Sequence, residues 1–375
     1  MNRPRQFVQE IYRKSSQKLG ARLLNEMLGR TNLRPTFTLS RLGAFLLATI
    51  VYVLTLGMLL LGAWLLWQTF FNVVLTPLSL VLVLLGIAAR PRVPRMPKTV
   101  VTRKEYPALF AYADRIADLL HTRPVYGIVF DWDYNASFGQ YGWRRSPVMT
   151  LGLPLFEVLN AQERNALVAH ELAHGANGDP NRGFYIGTAY YSVLTWYQIF
   201  YVRQIESGFS RTLANLGMRL LSFVPYLFAK GMAYLMWRDM QRAEYLADYL
   251  AAKVAGKEAC LGLLQKTEQD KHFAQLVHTL ALNTPQTDLF QELRRAIQEP
   301  APLAPMEEQP HSEYELDASH PPTDYRIRFL KARGAATPKL VVSPEEWARI
   351  ETELLPAKKE VQEKLLDRYM RTKYL

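Results

Sequence analysis

The sequence of 375 residues contains a single cysteine, Cys260, and only seven histidines. One cysteine excludes an intramolecular disulfide framework and a cysteine-rich zinc site. A metal site in this chain must therefore be built from histidines and carboxylates. Cys260 lies in an alanine- and leucine-rich stretch that favours a helix, and we expect its thiol to be inert.

The sequence also lacks charge over one long segment: residues 42–89 contain no Asp, Glu, Lys or Arg. This run divides into two apolar stretches, each near or above the ~20 residues that span a bilayer core. A short turn near Gln68 and Thr69 separates them. The run is too long and begins too far from Met1 for a cleaved signal peptide. We therefore predict a two-helix transmembrane hairpin over residues 42–89.

Basic residues flank this hairpin on both sides. Residues 1–41 hold nine Lys or Arg against two Glu, and Arg90, Arg92, Arg95 and Lys98 follow the apolar run. By the positive-inside rule both flanks are expected in the cytoplasm, with the tip of the hairpin outside. The net charge of +11 also raises the possibility of nucleic-acid binding. Because no nucleic-acid module is recognisable, we expect anionic lipid as the partner instead.

The sequence "HELAH" places His170 and His174 four residues apart. At 3.6 residues per turn both imidazoles lie on one helical face, where they can bind one metal ion. Glu171 points about 100° around the helix from His170, so it is better placed to take a proton from a metal-bound water than to be a ligand. The alternative is two partly buried histidines bonded to neighbouring groups. The rarity of this pattern in a chain with so few histidines favours the metal site.

The flanking sequence predicts a helix around this motif. Asn160 is followed three residues later by Glu163, as in a capping box, and the stretch after it is rich in helix formers. Gly175, Gly178 and Pro180 are expected to end the helix.

A catalytic zinc site usually has three protein ligands and one open position for water. The best candidate for the third ligand is Glu244, four residues before Asp248 on a predicted helix that ends at Gly256. Glu244 would bind the metal, and Asp248 would accept the outer N–H of a ligand histidine. Taken alone, this spacing is also typical of a solvated acidic face.

Two further apolar stretches, 184–202 and 220–237, separate the histidines from Glu244. If these groups meet, the intervening chain crosses the membrane twice or not at all. The first stretch is short and aromatic, and the second contains Pro225 and Lys230. The basic loop between them disfavours an outside location. We expect helices that are embedded in the membrane or packed on its surface. The sequence does not decide whether they span the membrane.

Outside the apolar helices, two short strands are predicted over 125–131 and 148–152, just before the metal-binding helix. An extended peptide can pair with the edge of such a strand through backbone hydrogen bonds. Further along, the Pro-rich stretch 299–318 predicts a flexible connection. From Ser343 a helix-start signal opens an amphipathic helix, which we expect to be interrupted at Pro356.

Four motifs, taken in order, resemble those of the membrane-associated gluzincin peptidases, which include the heat-shock protease HtpX and the CAAX prenyl endopeptidase. They are "YNASFG" at 134–139, "HELAHGANGD" at 170–179, "RAEYLAD" at 242–248 and "SHPPTDYRIRFL" at 319–330. The N-terminal apolar hairpin is also in keeping with this family. The aromatic stretch after Asn181 and the long basic N-terminal arm depart from it, which leaves membrane topology and substrate choice open.

The resemblance implies one zinc ion per chain, with His170, His174 and Glu244 as its ligands. It implies that Glu171 is the general base and that Asp248 orients a ligand histidine.

In the resembled family the segment at the last motif returns to the active site. There His320 would stabilise the oxyanion, and Arg326 would order the segment. The alternative for His320 is a histidine that caps a turn before two prolines.

These observations predict a mainly α protein with a small β-sheet (α+β), in which a zincin-type metallopeptidase domain is attached to an N-terminal transmembrane hairpin. The expected organisation is a basic cytoplasmic arm (1–41), the hairpin (42–89), the peptidase domain with two further hydrophobic helices (96–298), the Pro-rich connection (299–318), and the SHPP segment with the C-terminal helical region (319–375).

The predicted function is that of a membrane-bound zinc endopeptidase that cleaves protein or peptide substrates, in membrane protein quality control or processing. One alternative is an inactive membrane scaffold of the same fold, although the intact Glu171 argues against it. Another is a di-iron carboxylate protein, because residues 171–174 fit the Glu-x-x-His pattern of such bundles. That pattern recurs only at 308–311, within the Pro-rich connection. The sequence does not indicate an oligomeric state.

Overall fold

The structure is a computed structural model that describes residues 18–30, 33, 38–68, 72–177, 179–201, 209–283, 287–298, 320–333 and 337–373. The predicted Pro-rich connection and the first part of the basic arm lie outside these residues. The chain divides into two compact units. We call them the sheet unit (Met1–Pro35, Arg95–Pro180 and Gln241–Leu375) and the apolar unit (Thr36–Pro94 and Asn181–Met240).

Most of the described residues are helical. The helices are α1 (18–29), α2 (Leu39–Gln68), α3 (Leu75–Ala89), α4 (Pro107–Leu119), α5 (Leu153–Val158), α6 (Ala161–Ala176), α7 (Asp179–Phe200), α8 (Phe209–Ala255), α9 (Lys257–Thr267), α10 (Asp270–Asn283), α11 (Leu289–Gln298), α12 (Thr323–Ala332) and α13 (Pro344–Lys373). The strands are β1 (Gly127–Asp131), β2 (Ala136–Tyr141) and β3 (Ser146–Gly152). This is the predicted α+β class.

In the apolar unit, α2 and α3 form the predicted hairpin. They pack closely at Gly62, which has no side chain. A Cβ added there would lie 2.8 Å from Cγ2 of Val83. The second helix begins at Leu75, later than the charge-free run suggests, because the Asn72 side chain accepts hydrogen bonds from the backbone amides of Val74 and Leu75.

Within the described part of the chain, two helices are long and apolar enough to cross a bilayer, namely α2 and the part of α8 from Asn215 to Ala255. Helix α3 is shorter, with 15 residues. The apolar stretch 220–237 and the acidic stretch at Glu244 therefore belong to one helix of 47 residues rather than two. Pro225 lies inside it, and its end before Gly256, which has a φ of 92°, is as predicted.

The sheet has the order β1-β3-β2, with β1 parallel and β2 antiparallel to β3. The two predicted strands are present as β1 and β3, and the sequence prediction missed β2. Its Ala, Ser, Gly and Gln residues have little β propensity. Pairing with β3, for example of Phe138 with Met149, holds this strand at the edge of the sheet.

The predicted interruption at Pro356 was wrong, because α13 runs unbroken from Pro344 to Lys373. Leu354, Ala357 and Val361 are buried on both sides of the proline. Burial of this apolar face outweighs the backbone hydrogen bond that proline removes.

Helix α1 packs on the core of the sheet unit through Leu23, Leu24 and Met27. Its Glu26 forms an ion pair with Arg242 at 2.6 Å. Helix α1 of the basic arm thus contributes to the core of this unit.

Candidate metal centre

Helix α6 begins with the predicted capping box. Oδ1 of Asn160 accepts from the amide of Glu163 at 2.9 Å, and Oε2 of Glu163 accepts from the amide of Asn160 at 2.7 Å. The same carboxylate pairs with Nζ of Lys266 at 2.6 Å, which ties α6 to α9. The helix ends at Ala176, close to the predicted end, and Pro180 lies in the first turn of α7 instead. The start of the metal-binding helix is therefore firmly fixed.

His170, His174 and Glu244 lie together, as the sequence predicts. Nε2 of His170 is 3.5 Å from Oε2 of Glu244, and Nε2 of His174 is 3.4 Å from Oε1 of the same carboxylate. The three ligand atoms lie within 4.8 Å of one another. Both imidazoles thus present the same ring nitrogen to one carboxylate.

These distances fit a bound metal ion. In a tetrahedral zinc site with bonds of about 2.0–2.1 Å, two ligand atoms are about 3.3–3.4 Å apart. Each histidine nitrogen lies at about this distance from one oxygen of Glu244, and the two distances end on different oxygens of that carboxylate. Among the described residues, this is the one group of three His, Cys, Asp or Glu side chains that could hold a metal.

A second layer of charge surrounds His170. Its Nδ1 lies 3.1 Å from Oδ1 of Asp248, one helical turn beyond Glu244 on α8. Arg326 on α12 donates to both oxygens of Asp248, from Nε at 2.8 Å and from Nη2 at 2.6 Å. Asp248 therefore has the position expected of a group that orients a ligand imidazole.

Burial opposes a positive charge on His170, but the hydrogen bonds of Asp248 and Glu244 outweigh it and raise the pKa of the imidazole to about 10. Burial likewise opposes the charge of Arg326, and Asp248, Glu244 and Glu171 together raise the pKa of its guanidinium. An excess of negative charge at this centre favours a cation.

Glu171 and His320, the predicted catalytic residues, both lie in this region. Glu171 is buried on α6, directly after His170. Nδ1 of His320 is 2.6 Å from Oε2 of Glu244, while half of the His320 side chain stays exposed, at 50%. The residue His320, just before α12, thus lies beside the candidate ligand Glu244, and half of its side chain is open to solvent.

The edge strand β2 lies against the end of the metal-binding helix. A Cβ added at Gly175, next to His174, would lie 2.9 Å from Oγ1 of Thr122 and 3.2 Å from the ring of Phe138. Sequence reasoning missed Phe138 as a residue of the site. The only signal for it was its place in the motif "YNASFG", since the strand has little propensity of its own.

A mainly α fold with a small sheet, in which two histidines one turn apart meet a glutamate from a second helix, defines the zincin-type metallopeptidases. The chain belongs to peptidase family M48, whose family model matches residues 112–334.

Curated relatives agree with this assignment. Protease HtpX of Pseudomonas fluorescens is 25% identical over 214 residues, which cover 54% of this chain and 63% of the relative. Protease HtpX of Chromohalobacter salexigens is 24% identical over 201 residues, which cover 51% of this chain and 60% of the relative. The chain thus spans less than two thirds of the length of these relatives. No solved structure matches the chain.

Proposed function

We propose that this protein is a membrane-bound zinc endopeptidase with one zinc ion per chain, held by His170, His174 and Glu244. The observation that carries the proposal is the convergence of these three side chains, whose ligand atoms lie within 4.8 Å of one another. Its substrates are protein or peptide chains, in membrane protein quality control or in processing. The curated relatives are proteases, which supports this class.

Each nearby side chain has a proposed task in hydrolysis. When bound, zinc supplies a Lewis acid that polarises the scissile carbonyl and acidifies water. Glu171 takes a proton from the attacking water as the C–O bond forms, and passes it to the leaving amine as the C–N bond then breaks. An imidazolium donates from both nitrogens, so His320 can contact Glu244 and the oxyanion together.

We propose that the substrate binds as an additional strand along β2. This strand lies at one edge of the sheet, and its Phe138 is close to the helix turn that holds His174. Backbone hydrogen bonds to β2 would hold an extended peptide without reading its sequence. The scissile bond would then lie beside the metal ligands.

Metal analysis and proteolysis of the detergent-purified chain test the proposal. We expect about one zinc per chain, lost in Glu244→Ala. We expect Glu171→Gln to keep its zinc and lose proteolysis of an unfolded test protein, because only the base is removed. The matched control is Glu258→Gln, at a side chain that is 85% exposed, and it should keep both properties.

The rival functions give different results in the same measurements. Iron near two per chain would support the carboxylate-bundle alternative. A chain that binds zinc but cleaves none of a broad set of unfolded proteins would support a scaffold. Peptidase activity retained in Glu171→Gln would overturn the proposed mechanism.

We also propose that the hairpin of α2 and α3 spans the bacterial inner membrane, with the sheet unit in the cytoplasm. The support is the apolar length of α2 and the basic residues on both flanks. The only cysteine, Cys260, is buried, so cysteines introduced singly can report their location. In intact cells, an impermeant thiol reagent should label Gln68→Cys and spare Lys359→Cys. The reverse pattern would overturn this topology.

A further inference from the structure

The tip of the β2–β3 hairpin carries the exposed residue Trp143, whose side chain is 87% exposed. The turn is built from left-handed backbone, with a φ of 68° at Gly142 and of 50° at Arg145. This conformation directs the chain sharply back into β3, so that the tryptophan stands at a convex tip. Burying a side chain of this size stabilises an interface strongly, which makes its exposure informative.

Basic side chains surround this tip. Arg144 and Arg145 follow the tryptophan directly, and both are exposed. Nη1 of Arg123 donates to the carbonyl oxygen of Arg145 at 3.4 Å, which brings a third guanidinium to the turn. Arg123 also lines a groove with Lys104 and with Tyr126, whose side chain is 59% exposed. We call Lys104, Arg123, Tyr126 and residues 143–145 the hairpin patch.

Acidic groups at this end of the sheet are few, and two of them are already engaged. Residues 134–156, which include β2, the turn and β3, contain no Asp or Glu. Asp114 pairs with Arg103 through both carboxylate oxygens, and Glu105 accepts from the amide and hydroxyl of Thr102 at 2.8 Å each. Asp118 is exposed on the last turn of α4. The hairpin patch therefore keeps a net positive charge.

We propose that the hairpin patch binds the anionic headgroups of a lipid bilayer, as a membrane contact separate from the apolar helices. Trp and Tyr prefer the headgroup level of a membrane, where an amphipathic ring meets both water and acyl chains. Each nearby Lys or Arg adds attraction to anionic lipid. A single aromatic residue at a convex tip, ringed by cations, suits this surface better than a protein partner, which needs about 800 Å² on each side.

Such a contact has a consequence for the substrate strand. Phe138, which lies against the metal-binding helix, precedes Trp143 by five residues on the same hairpin. At about 3.3 Å per residue, the chain from Trp143 to Phe138 spans at most roughly 17 Å, and Phe138 lies against the helix that carries His174. An extended segment that leaves the bilayer surface could reach the metal centre without unfolding further.

The fluorescence of Trp143 in the full-length chain tests this proposal. The chain contains seven tryptophans, so the signal of Trp143 is taken as the difference from Trp143→Phe. The protein is reconstituted in vesicles of phosphatidylcholine with or without phosphatidylglycerol, each also prepared with lipids brominated near the headgroup. We expect the Trp143 signal to be quenched at least twofold more in the anionic vesicles, with a shift to shorter wavelength.

Charge-reversal variants distinguish an effect of the patch's charge from an effect on folding. The double variant Lys104→Glu, Arg144→Glu reverses two exposed charges and leaves Arg145, whose backbone is left-handed, unchanged. It should abolish the additional quenching of Trp143 in anionic vesicles. Arg349→Glu with Lys359→Glu makes the same change at exposed positions of α13 and should leave the quenching unchanged.

A Trp143 signal without quenching in anionic vesicles would overturn the proposal, as would equal quenching in neutral and anionic vesicles. If Trp143 stays unquenched and the Lys104→Glu, Arg144→Glu variant loses cleavage of acidic peptides in detergent, the patch recognises substrate instead. The quenching needs no peptidase activity, so its outcome is independent of the proposed reaction.

Discussion

Arg326 donates two parallel hydrogen bonds to Asp248, at 2.8 and 2.6 Å, and both side chains are buried. Asp248 in turn lies 3.1 Å from Nδ1 of His170. A paired guanidinium and carboxylate is planar and has a fixed geometry, which a lysine cannot reproduce. Arg326 thus holds the carboxylate that lies beside His170, an imidazole of the candidate metal centre.

We predict that Arg326→Lys lowers zinc affinity by roughly 10- to 100-fold, because the group that orients His170 loses its bidentate partner. Competition with a chromogenic chelator measures this change. The matched control is Arg328→Lys on the same helix, where the side chain is 66% exposed. Equal zinc affinity in the two variants would show that Asp248 is held without Arg326.

We predict that His320→Gln lowers kcat by roughly 10²-fold while about one zinc per chain remains, because a donor to the oxyanion is lost and no ligand is removed. Parallel measurements of kcat, KM and metal content on the purified variant check this. If zinc disappears together with activity, the contact of His320 with Glu244 serves metal binding instead.

The sequence was sufficient to predict which side chains lie together at the candidate metal centre. The four-residue spacing of His170 and His174 depends only on helix geometry, and the capping box at Asn160 fixes where that helix begins. Glu244 was less determined, because a carboxylate pair on a helix is also typical of a solvated surface. Its assignment depended on the resemblance, and the structure now places its carboxylate between the two imidazoles.

The remaining features depend on tertiary contacts that local patterns do not contain. Strand β2 exists because β3 pairs with it, although its own residues favour a loop. Helix α13 continues through Pro356 because apolar residues on both sides of it are buried. The contact of His320 with Glu244 joins residues 76 positions apart, and no periodicity predicts such a contact.

We predict that Gly152→Ala destabilises the sheet unit by about 1–3 kcal/mol. A Cβ at this position would lie 2.0 Å from the carbonyl oxygen of Asp133 and 2.2 Å from that of Asn135, so backbone rather than a flexible side chain must move. Asn135 leads directly into β2, and peptidase activity should fall as well. Thermal unfolding in detergent measures the change. Gly29→Ala, where a Cβ meets nothing within 4 Å, is the control, and an equal loss of stability there would contradict the explanation.

Lys358 on α13 pairs with Glu157 of α5, at 2.6 Å, and with Glu351 of its own helix, at 2.5 Å. We predict that Lys358→Met destabilises the protein by up to about 3–5 kcal/mol, because the buried carboxylate of Glu157 keeps only the half-exposed Arg294 as its partner. Adding Glu157→Gln should restore a large part of the loss. A double variant no more stable than Lys358→Met would show that the lysine acts through packing.

The same network predicts how stability depends on pH. Burial opposes ionisation of Glu351, but Arg164 and Lys358 outweigh it and hold the pKa of this carboxyl below its usual value. Because the folded pKa lies below the unfolded value of about 4.3, the stabilisation is complete above that pH and is lost as the pH falls through the folded pKa.

Unfolding midpoints measured from pH 6 down to pH 3 should therefore fall less steeply for Glu351→Gln than for the unmodified chain, with the difference appearing below about pH 5. Glu363→Gln, at an exposed position of the same helix, should follow the unmodified chain. Parallel curves for Glu351→Gln and the unmodified chain would mean that solvent screens this partly exposed carboxylate from Arg164 and Lys358.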